Sequence, residues 1–447
     1  MADRRSVLFT VIFTPIVLIL LILGWQRGGL KNDEQLESPP PTTTTTTPPP
    51  AETGIIAPPS PPSHVNDPIV AGYFVNWGIY DRNYNVVDLQ AEKLSHVLYA
   101  FANLNDDGTI VLGDPWADTD KHFPAEQTIN KKADDWNESG ENLYGNFKQL
   151  YLLKQKYRHL KVSLSVGGWS WSANFSTVAS TPQKRIRFTE TALSLVNNLG
   201  LDGIDIDWEM PKDDTEAASY VSLVKDLRIA LGPDYLISVA VPCGPDDYKK
   251  LHLSEMAAQI DLFYLMAYDY AGAWDPVTGH QAALYGGSLN NDNAVNYYIK
   301  SGVPAEKIVL GIPAYGRAFS KTDQKPGSPF DGVPSGTWEA GSYDYRVLPR
   351  PGAVEHFDSE KVASYSYDPK NREFVTYDTP EAVKAKCEYA LEKGLAGVMF
   401  WELSADAKTQ DRSLLHTAYT TFNNQIHSTL NHIDYSSSQF QNIKSGM

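Results

Sequence analysis

The alternation of short apolar runs with helical stretches constrains the fold of this chain more than any other feature. From Ile69 onward, runs rich in β-branched residues are separated by longer segments of helical pattern. Strands alternating with helices predict β/α repeats and a parallel sheet, and eight such units close into a barrel. We therefore predict an α/β protein, a (β/α)8 TIM barrel. The eight predicted strands are residues 69–75, 96–102, 161–166, 203–207, 236–241, 262–268, 308–314 and 397–401.

One connection is too long to be a loop of this barrel. Residues 317–379 follow the seventh predicted strand and are rich in Tyr, Gly and Pro, so we predict a small α+β insertion there. The catalytic domain is predicted to span residues 67–425. Residues 426–447 are polar and are predicted to form a tail without regular order, and no separate carbohydrate-binding module is expected in them.

The N-terminal segment is predicted to be a targeting or anchoring element. Residues 7–25 are almost entirely apolar and follow Arg4 and Arg5, and the run is long enough to span a bilayer. One interpretation is a short cytoplasmic N-terminus, residues 1–6, followed by a signal anchor of a single-pass type II membrane protein. The other is a cleaved signal peptide, although no small-residue cleavage site ends the run.

The next segment favours an extracellular or cell-surface domain. Residues 26–66 contain six consecutive threonines, Thr42 to Thr47, between proline runs, which is typical of an O-glycosylated stalk or of a plain disordered linker. Asn137 and Asn174 each begin an N-x-S sequon, the acceptor pattern for N-glycans. All of these features agree with passage through the secretory pathway.

An acidic cluster interrupts the otherwise apolar fourth strand. Because side chains alternate along a strand, Asp205, Asp207 and Glu209 share one face while the apolar residues between them face the other way. Carboxylates crowded on one buried face repel each other, so at least one should keep its proton near neutral pH. This is the arrangement of a general acid with charged helpers. A solvated strand face and a calcium site are the alternatives.

Charge and cysteine content exclude several other functions. The net charge of -16 at pH 7 argues against nucleic acid or an anionic membrane surface as a partner. The two cysteines, Cys243 and Cys387, are predicted to be free thiols. No Cys/His cluster suggests a metal, and no cofactor is expected.

Asp202, Asp205, Asp207 and Glu209 match a D-x-x-D-x-D-x-E motif completely. The segment resembles the signature of glycoside hydrolase family 18, the chitinases, and most closely its secreted fungal members. Five further blocks occur in family order: Gly72-Tyr73-Phe74, Ser165-Val166-Gly167-Gly168-Trp169, Met266-Ala267-Tyr268-Asp269, Tyr315-Gly316-Arg317 and Met399-Phe400-Trp401-Glu402. The resemblance implies a monomer that acts on chitin and chito-oligosaccharides, with the insertion as one wall of the cleft.

The spacing of the acids bears on the mechanism. Glu209 lies nearest the mouth of the barrel and is the best candidate to protonate the glycosidic oxygen. A retaining glycosidase ordinarily needs a second carboxylate about 5 Å away across the scissile bond. Asp207 lies roughly 7 Å along the same strand face and points alongside Glu209 instead. Family 18 is an exception in which the N-acetyl group of the substrate supplies the nucleophile.

The resemblance also implies the roles of single residues. Asp207 would bind the acetamide N–H and share a proton with Glu209, Asp205 would tune the charge of Asp207, and Tyr268 would donate its hydroxyl to the acetamide oxygen. Asp202 has the opposite parity, so it is assigned a structural role, as is Ser165. The expected substrate contacts are Trp401 as the floor, with Tyr73, Met266, Ala267, Asp269, Tyr315, Arg317, Gly167, Gly168, Trp169, Ser170, Gly140, Glu141 and Met210 around it. Met210 stands where the family usually has tyrosine.

The predicted function is therefore hydrolysis of β-1,4 bonds between N-acetylglucosamine units of chitin. A chitin-binding lectin on the same barrel would keep an aromatic cleft but lose the acid, and Glu209 is present. A hydrolase of N-glycan cores is the other alternative.

Overall fold

A closed parallel barrel forms the centre of the molecule, which we describe for residues 67–447 from a computed structural model. Eight parallel strands pair in the order β1-β14-β8-β7-β6-β5-β4-β2, and β2 pairs with β1 to close the ring. The barrel strands are β1 (Ile69–Val75), β2 (His96–Leu104), β4 (Lys161–Gly167), β5 (Gly203–Asp207), β6 (Leu236–Pro242), β7 (Leu262–Met266), β8 (Ile308–Pro313) and β14 (Gly397–Trp401). All eight predicted strands are confirmed, with no end displaced by more than two residues.

Helices cover the outside of the barrel, except after the first strand. The connection from β1 to β2 contains three short 3-10 turns in place of an α-helix, and β3 (Ile110–Leu112) pairs antiparallel with β2. The α-helices are α1 (Gly145–Lys156), α2 (Phe175–Ser180), α3 (Pro182–Leu199), α4 (Asp214–Leu231), α5 (Pro245–Tyr248), α6 (Leu253–Ala257), α7 (Asn291–Lys300), α8 (Pro380–Glu392), α9 (Leu414–Thr421) and α10 (Gln441–Lys444).

Local sequence explains where helix α3, before β5, ends and where helix α4, after β5, begins. Helix α3 stops at Gly200, which has a left-handed φ of 70°, and a Cβ there would lie 2.6 Å from the ring of Tyr151, so glycine is required. Helix α4 is capped by Asp213, the residue before it, whose carboxylate accepts the backbone N–H of Glu216 at 2.9 Å. The acidic strand is thus held between two well-defined helix termini.

The barrel strands are buried on both faces. Along β1, Ala71 and Tyr73 point into a cluster inside the barrel, while Val70 and Phe74 pack outward against the helices. Burying each large apolar side chain contributes about 1.5–3 kcal/mol. Polar residues inside the barrel are therefore exceptions that need partners.

The insertion is a second, antiparallel sheet. Its five strands pair in the order β10-β9-β13-β12-β11. They are β9 (Tyr315–Phe319), β10 (Ser342–Asp344), β11 (Val354–Asp358), β12 (Ala363–Asp368) and β13 (Glu373–Thr376). It follows the seventh barrel strand, as predicted. The helical part of the predicted α+β insertion is limited to one 3-10 turn, Tyr345–Val347.

The prediction that residues 426–447 lack order is wrong. The Asn431 amide donates to the carbonyl oxygens of Lys154 and Leu160 at 3.0 and 2.7 Å. Tyr435 and Ile443 are 2% and 1% exposed. A few anchoring side chains in a polar segment therefore fix it along the outside of the barrel.

The N-terminal predictions lie outside the described residues. These are the signal anchor or signal peptide at residues 7–25 and the stalk at 26–66. Between residues 67 and 447, no helix is both long and apolar enough to cross a membrane. Cys243 and Cys387 are buried and unpaired, which confirms the prediction of two free thiols.

Candidate active site

The acidic cluster lies at the carboxyl end of β5, where the sequence pattern predicts it. Asp205 and Asp207 are 0% and 4% exposed, and Glu209 is half-buried two residues beyond the strand. The apolar side chains Ile204 and Ile206 pack into the outer core. Three carboxyl groups therefore share the inner face of one strand in a largely water-free environment.

Asp205 is held by three hydroxyl groups. Its Oδ2 accepts from the hydroxyls of Tyr73 at 3.0 Å and Ser165 at 2.7 Å, and its Oδ1 accepts from Ser238 at 2.6 Å. Burial raises the pKa of Asp205, and these three donors lower it. The contact gives Ser165, predicted to be structural, a direct place in the acid cluster.

Ser238 is a site residue that the sequence analysis missed. Strand pairing places Ser165 and Ser238 directly opposite Asp205 on β4 and β6. Both serines are buried, and Ser238 is the one polar residue of β6. A serine paired in register with a buried acid on the next strand is the signal that could have identified Ser238.

Asp207 has an oxygen without a protein partner. Its Oδ1 is fully buried and accepts no hydrogen bond from any of residues 67–447. Burial raises the pKa of Asp207 well above its ordinary value, and the charges of Glu209 and Asp205 raise it further. A buried carboxyl in this position either carries a proton or meets a donor from a ligand.

Glu209 has the protonation behaviour of a general acid. Burial first, and then the charge of Asp269, raise its pKa to about 7, while the backbone N–H of Trp169 lowers it. The Glu209 backbone N–H donates to the Ser172 hydroxyl at 2.9 Å. Ser172, also missed from sequence, in turn lies within donor distance of the carbonyl oxygens of Gly168 (3.0 Å) and Asp207 (3.2 Å).

Two glycines let the neighbouring strand approach the acids. Gly167 and Gly168 have positive φ angles of 114° and 83°. A Cβ at Gly167 would clash with the carbonyl oxygen of Asp207, and one at Gly168 would lie 2.9 Å from the Phe101 ring. This close approach is made within the protein, and contact of the two glycines with substrate stays a prediction. Trp169 follows directly and is 78% exposed, with Ser170 exposed beside it.

An aromatic floor lies at the end of β14. The Trp401 ring packs edge-on against Tyr73 at 5.0 Å and stacks on Phe101 at 5.7 Å. Met266, at the end of β7, is half-buried and Ala267 is buried. The structure thus places Trp401 beside Tyr73, which also donates to Asp205, and the role of Trp401 as the floor under the sugar stays a prediction.

A polar cluster connects the end of β7 to the insertion. Asp269, at a left-handed φ of 61°, accepts the Tyr315 hydroxyl at 2.7 Å and two Arg317 nitrogens at 2.8 Å each. The Tyr268 ring meets Tyr315 edge-on at 6.1 Å. Burial, followed by the charges of Asp207, Asp269 and Glu209, raises the pKa of Tyr268 well above normal, so its hydroxyl stays a donor.

The insertion contributes an exposed aromatic side chain that the sequence analysis did not single out. Trp338 is 43% exposed, and its Nε1 donates to Asp344 at 2.9 Å. The next residue, Glu339, lies 3.4 Å from Arg317. The turn that carries them therefore borders the same polar cluster as Asp269.

Some predicted residues lie apart from the acid cluster. Asp202 is at the amino end of β5, where it pairs with buried Lys154 at 2.8 Å and accepts the backbone N–H of Val162 at 2.7 Å, as its assigned structural role requires. Gly140 and Glu141 lie against the C-terminal segment: a Cβ at Gly140 would clash with the Gln441 side chain, and the Glu141 carbonyl accepts the Gln441 N–H at 2.7 Å. Their contact with substrate stays a prediction.

The remaining predicted positions differ in accessibility. Met210 is half-buried directly after Glu209, and Asn137 is exposed. Asn174 is half-buried, and its amide donates to the Leu104 carbonyl at 2.8 Å. Of the two sequons, the one at Asn137 presents the more accessible side chain.

The site can donate a proton to an oxygen bound between Trp401 and the acids. Glu209 is half-protonated near neutral pH, while Tyr268 and the free oxygen of Asp207 offer one donor and one acceptor. No group of three or more His, Cys, Asp or Glu side chains suited to a metal occurs between residues 67 and 447. The arrangement is that of acid catalysis by carboxyl groups.

Comparisons with known proteins agree with this geometry. Residues 69–406 match the model of "Glycosyl hydrolases family 18". The chain is 44% identical to "Endochitinase 1" of Metarhizium robertsii over 89% of this chain and 96% of that protein. It is 45% identical to "Chitinase 1" of Aphanocladium album over 84% and 90%. The catalytic domain of psychrophilic chitinase B from Arthrobacter TAD20 superposes with a TM-score of 0.74 at 29% identity, covering 82% and 97%.

Proposed function

The chain belongs to glycosyl hydrolases family 18 and is a chitinase, and we propose that it cleaves chitin by substrate-assisted catalysis with Glu209 as the acid. The substrate class follows from relatives named chitinase and endochitinase that align along almost their whole length. The assignment of roles to single residues rests on the geometry of the acid cluster.

The proposed mechanism rests on the positions and hydrogen-bond partners of the carboxyl groups around Glu209. Asp269 is the acid outside β5 whose charge acts on Glu209, but Arg317 and Tyr315 occupy its oxygens. Asp205 and Asp207 lie on β5, and Glu209 follows two residues after its end. None of these is a free nucleophile across the bond to be cleaved, which favours a nucleophile supplied by the substrate.

In the proposed first step, the acetamide oxygen of the sugar attacks its own anomeric carbon. Glu209 gives its proton to the departing glycosidic oxygen. Asp207 accepts the acetamide N–H on its unpartnered Oδ1, and Tyr268 donates its hydroxyl to the acetamide oxygen. In the second step, water attacks the anomeric carbon and gives a proton to Glu209, while the bond from that carbon to the acetamide oxygen breaks and restores the acetamide. Each step inverts the anomeric carbon, so the configuration is retained overall.

The aromatic side chains account for binding of the polymer. Flat rings with an apolar face suit the faces of sugar rings. We propose that Trp401 carries the sugar at the cleavage point and that Trp169 and Trp338 carry neighbouring units on either side. Trp169 and Trp338 expose 78% and 43% of their surface.

Glu209→Gln tests this function directly. General acid catalysis contributes about 10²- to 10⁴-fold, so the variant should lose at least that much of kcat on chitohexaose while it still binds the oligosaccharide. Product masses and calorimetric binding are the measurements. Glu190→Gln, an exposed surface change, is the matched control. Equal turnover by Glu209→Gln and wild type would refute the assignment, and binding without wild-type turnover would support a lectin.

We also propose that the domain is displayed outside the cell. The support is the apolar run at residues 7–25 and the Thr/Pro-rich segment after it. Protease treatment of intact cells should release an active fragment that begins near residue 67. A fragment that stays protected until the cells are lysed would contradict this location, and release of active protein without protease would favour a cleaved signal.

A further inference from the structure

Arg82, in the turn after β1, joins two acids from distant parts of the chain. Its Nη1 donates to Asp344 Oδ1 and to Glu402 Oε1, at 3.2 Å each. The arginine side chain is 16% exposed and the two acidic side chains are 6% and 7% exposed. A largely buried guanidinium shared by two carboxylates forms a bridge of defined geometry.

Each end of this bridge touches one of the aromatic surfaces of the cleft. Glu402 directly follows Trp401, and its carboxylate also accepts the N–H and the hydroxyl of Ser404 at 2.7 Å each. Asp344 accepts the indole N–H of Trp338 at 2.9 Å. Displacement of Asp344 would therefore remove a hydrogen bond from the Trp338 indole, and displacement of Glu402 would disturb the residue that directly follows Trp401.

Arg82 also supports Trp338 directly. The centre of its guanidinium lies 4.9 Å from the centroid of the Trp338 ring, within the range of a cation–π contact. The ring is nonetheless 43% exposed. Trp338 thus rests on Arg82 and still presents apolar surface to the cleft.

The turn that carries Trp338 has a second, independent attachment. Glu339 pairs with Arg317 at 3.4 Å, and Arg317 holds Asp269 at the end of β7. The turn is therefore tied to the end of β7 through Arg317 and to the end of β14 through Arg82. Loss of Arg82 would remove the cation under the Trp338 ring, while the indole N–H bond to Asp344, which also pairs with Arg346 at 3.0 Å, and the Glu339 side stay in place.

We propose that Arg82 is a positioning residue that fixes the spacing between Trp338 and Trp401 and so sets the affinity for oligosaccharides long enough to reach both rings. This inference rests on the proposed function. Arg82 makes no hydrogen bond to the acids of β5 within residues 67–447. Its removal should therefore raise KM for long substrates and leave the chemical step unchanged.

The test compares a long and a short substrate in the full chain. Arg82→Ala should raise KM for chitohexaose about tenfold, the size expected for a lost cation–π contact together with a loosened ring, with kcat within about twofold. KM for an aryl chitobioside, a much shorter substrate, should stay within about twofold. Arg82→Lys keeps the charge but loses the planar fork, so its effect should be intermediate.

A double-mutant cycle and a matched control make the test specific. If Arg82 acts through Trp338, adding Arg82→Ala to Trp338→Ala should change KM less than about twofold further. Arg412 supplies the control, because it also links a barrel loop to the insertion. It donates to both Glu355 oxygens at 2.8 Å and lies 5.2 Å from the Tyr345 ring centroid. Arg412→Ala should leave KM for chitohexaose unchanged.

Several outcomes would overturn the inference. These are an equal rise of KM for both substrates, a fall in kcat, full additivity with Trp338→Ala, or the same effect from Arg412→Ala. If Arg82→Ala does not fold, Arg82→Lys and its cycle with Trp338→Ala decide the matter. Wild type that cleaves neither substrate would instead refute the proposed function.

Discussion

Replacing Ser238 with alanine should change the pH dependence of catalysis although Ser238 does not touch Glu209. Its hydroxyl donates to Asp205 Oδ1 at 2.6 Å, and the other two donors, Tyr73 and Ser165, bind Oδ2. Ser238→Ala therefore leaves one buried oxygen of Asp205 without any donor among residues 67–447. The substitution removes only the side-chain oxygen of Ser238.

The size of the effect follows from the strength of that hydrogen bond. A hydrogen bond to a charged group contributes about 1.5–3 kcal/mol, and about 1.4 kcal/mol corresponds to one pKa unit. The pKa of Asp205, already raised by burial, should therefore rise by up to about one to two units. As pH falls, the Asp205–Asp207 pair would therefore lose its last negative charge at a higher pH in the variant than in wild type. The acid limb of the activity profile should shift to higher pH by a similar amount.

The assay is kcat/KM for a chito-oligosaccharide measured across the acid range, with Ser163→Ala as the matched control. Ser163 is a buried serine of β4, 3% exposed, two residues before Ser165, and it makes no hydrogen bond to these acids within the described part of the chain. Coincident profiles for the two variants, or a shift of the Ser238→Ala acid limb to lower pH, would refute the reasoning. Tyr73→Phe should shift the limb in the same direction as Ser238→Ala.

Three further predictions follow from burial and charge. Burial, followed by the charge of Asp269, raises the pKa of Glu209 from 4.5 to about 7. Asp269→Asn removes the second of these causes, so the alkaline loss of kcat/KM should begin at lower pH; an unchanged limb would contradict this. Because the folded state favours protonated Glu209, the free energy of unfolding falls as pH rises from 4.5 to about 7. In urea unfolding, Glu209→Gln should therefore be more stable than wild type above pH 7 but not below pH 4.5. The same pH dependence of unfolding in both proteins would count against the raised pKa. Tyr435 is 2% exposed, so Tyr435→Ala leaves a cavity and should lower the free energy of unfolding by about 3–5 kcal/mol. Tm should fall while kcat per folded molecule stays the same. An unchanged Tm would show that the C-terminal segment is not docked.

The barrel strands and the face of the acids could be predicted because both depend on local periodicity. Side chains alternate along every strand whatever surrounds it, so parity alone places Asp205, Asp207 and Glu209 on one face and Asp202 on the other. The insertion could be located from the length and composition of one connection. Its strands could not be paired, because antiparallel pairing depends on partners that local pattern does not specify.

The errors have one cause, which is that contacts between distant segments leave little trace in local composition. The C-terminal segment looks polar and unstructured, yet Asn431 and Tyr435 attach it to the barrel. Gly167 makes room for the carbonyl of Asp207, a contact that its local sequence does not indicate, and its contact with substrate stays a prediction.

By itself, the sequence determined the barrel, the acidic strand and the family to which the chain belongs. The tertiary structure alone decided which groups surround each acid. Closure of the barrel sets the register that puts Ser165 and Ser238, from 40 and 33 residues away, against Asp205. Folding also ties Asp269 to Arg317 and joins Glu402 to Asp344 through Arg82. The physical reason is that desolvation and charge act through space, so the pKa of a carboxyl group depends on neighbours that only the folded chain brings together.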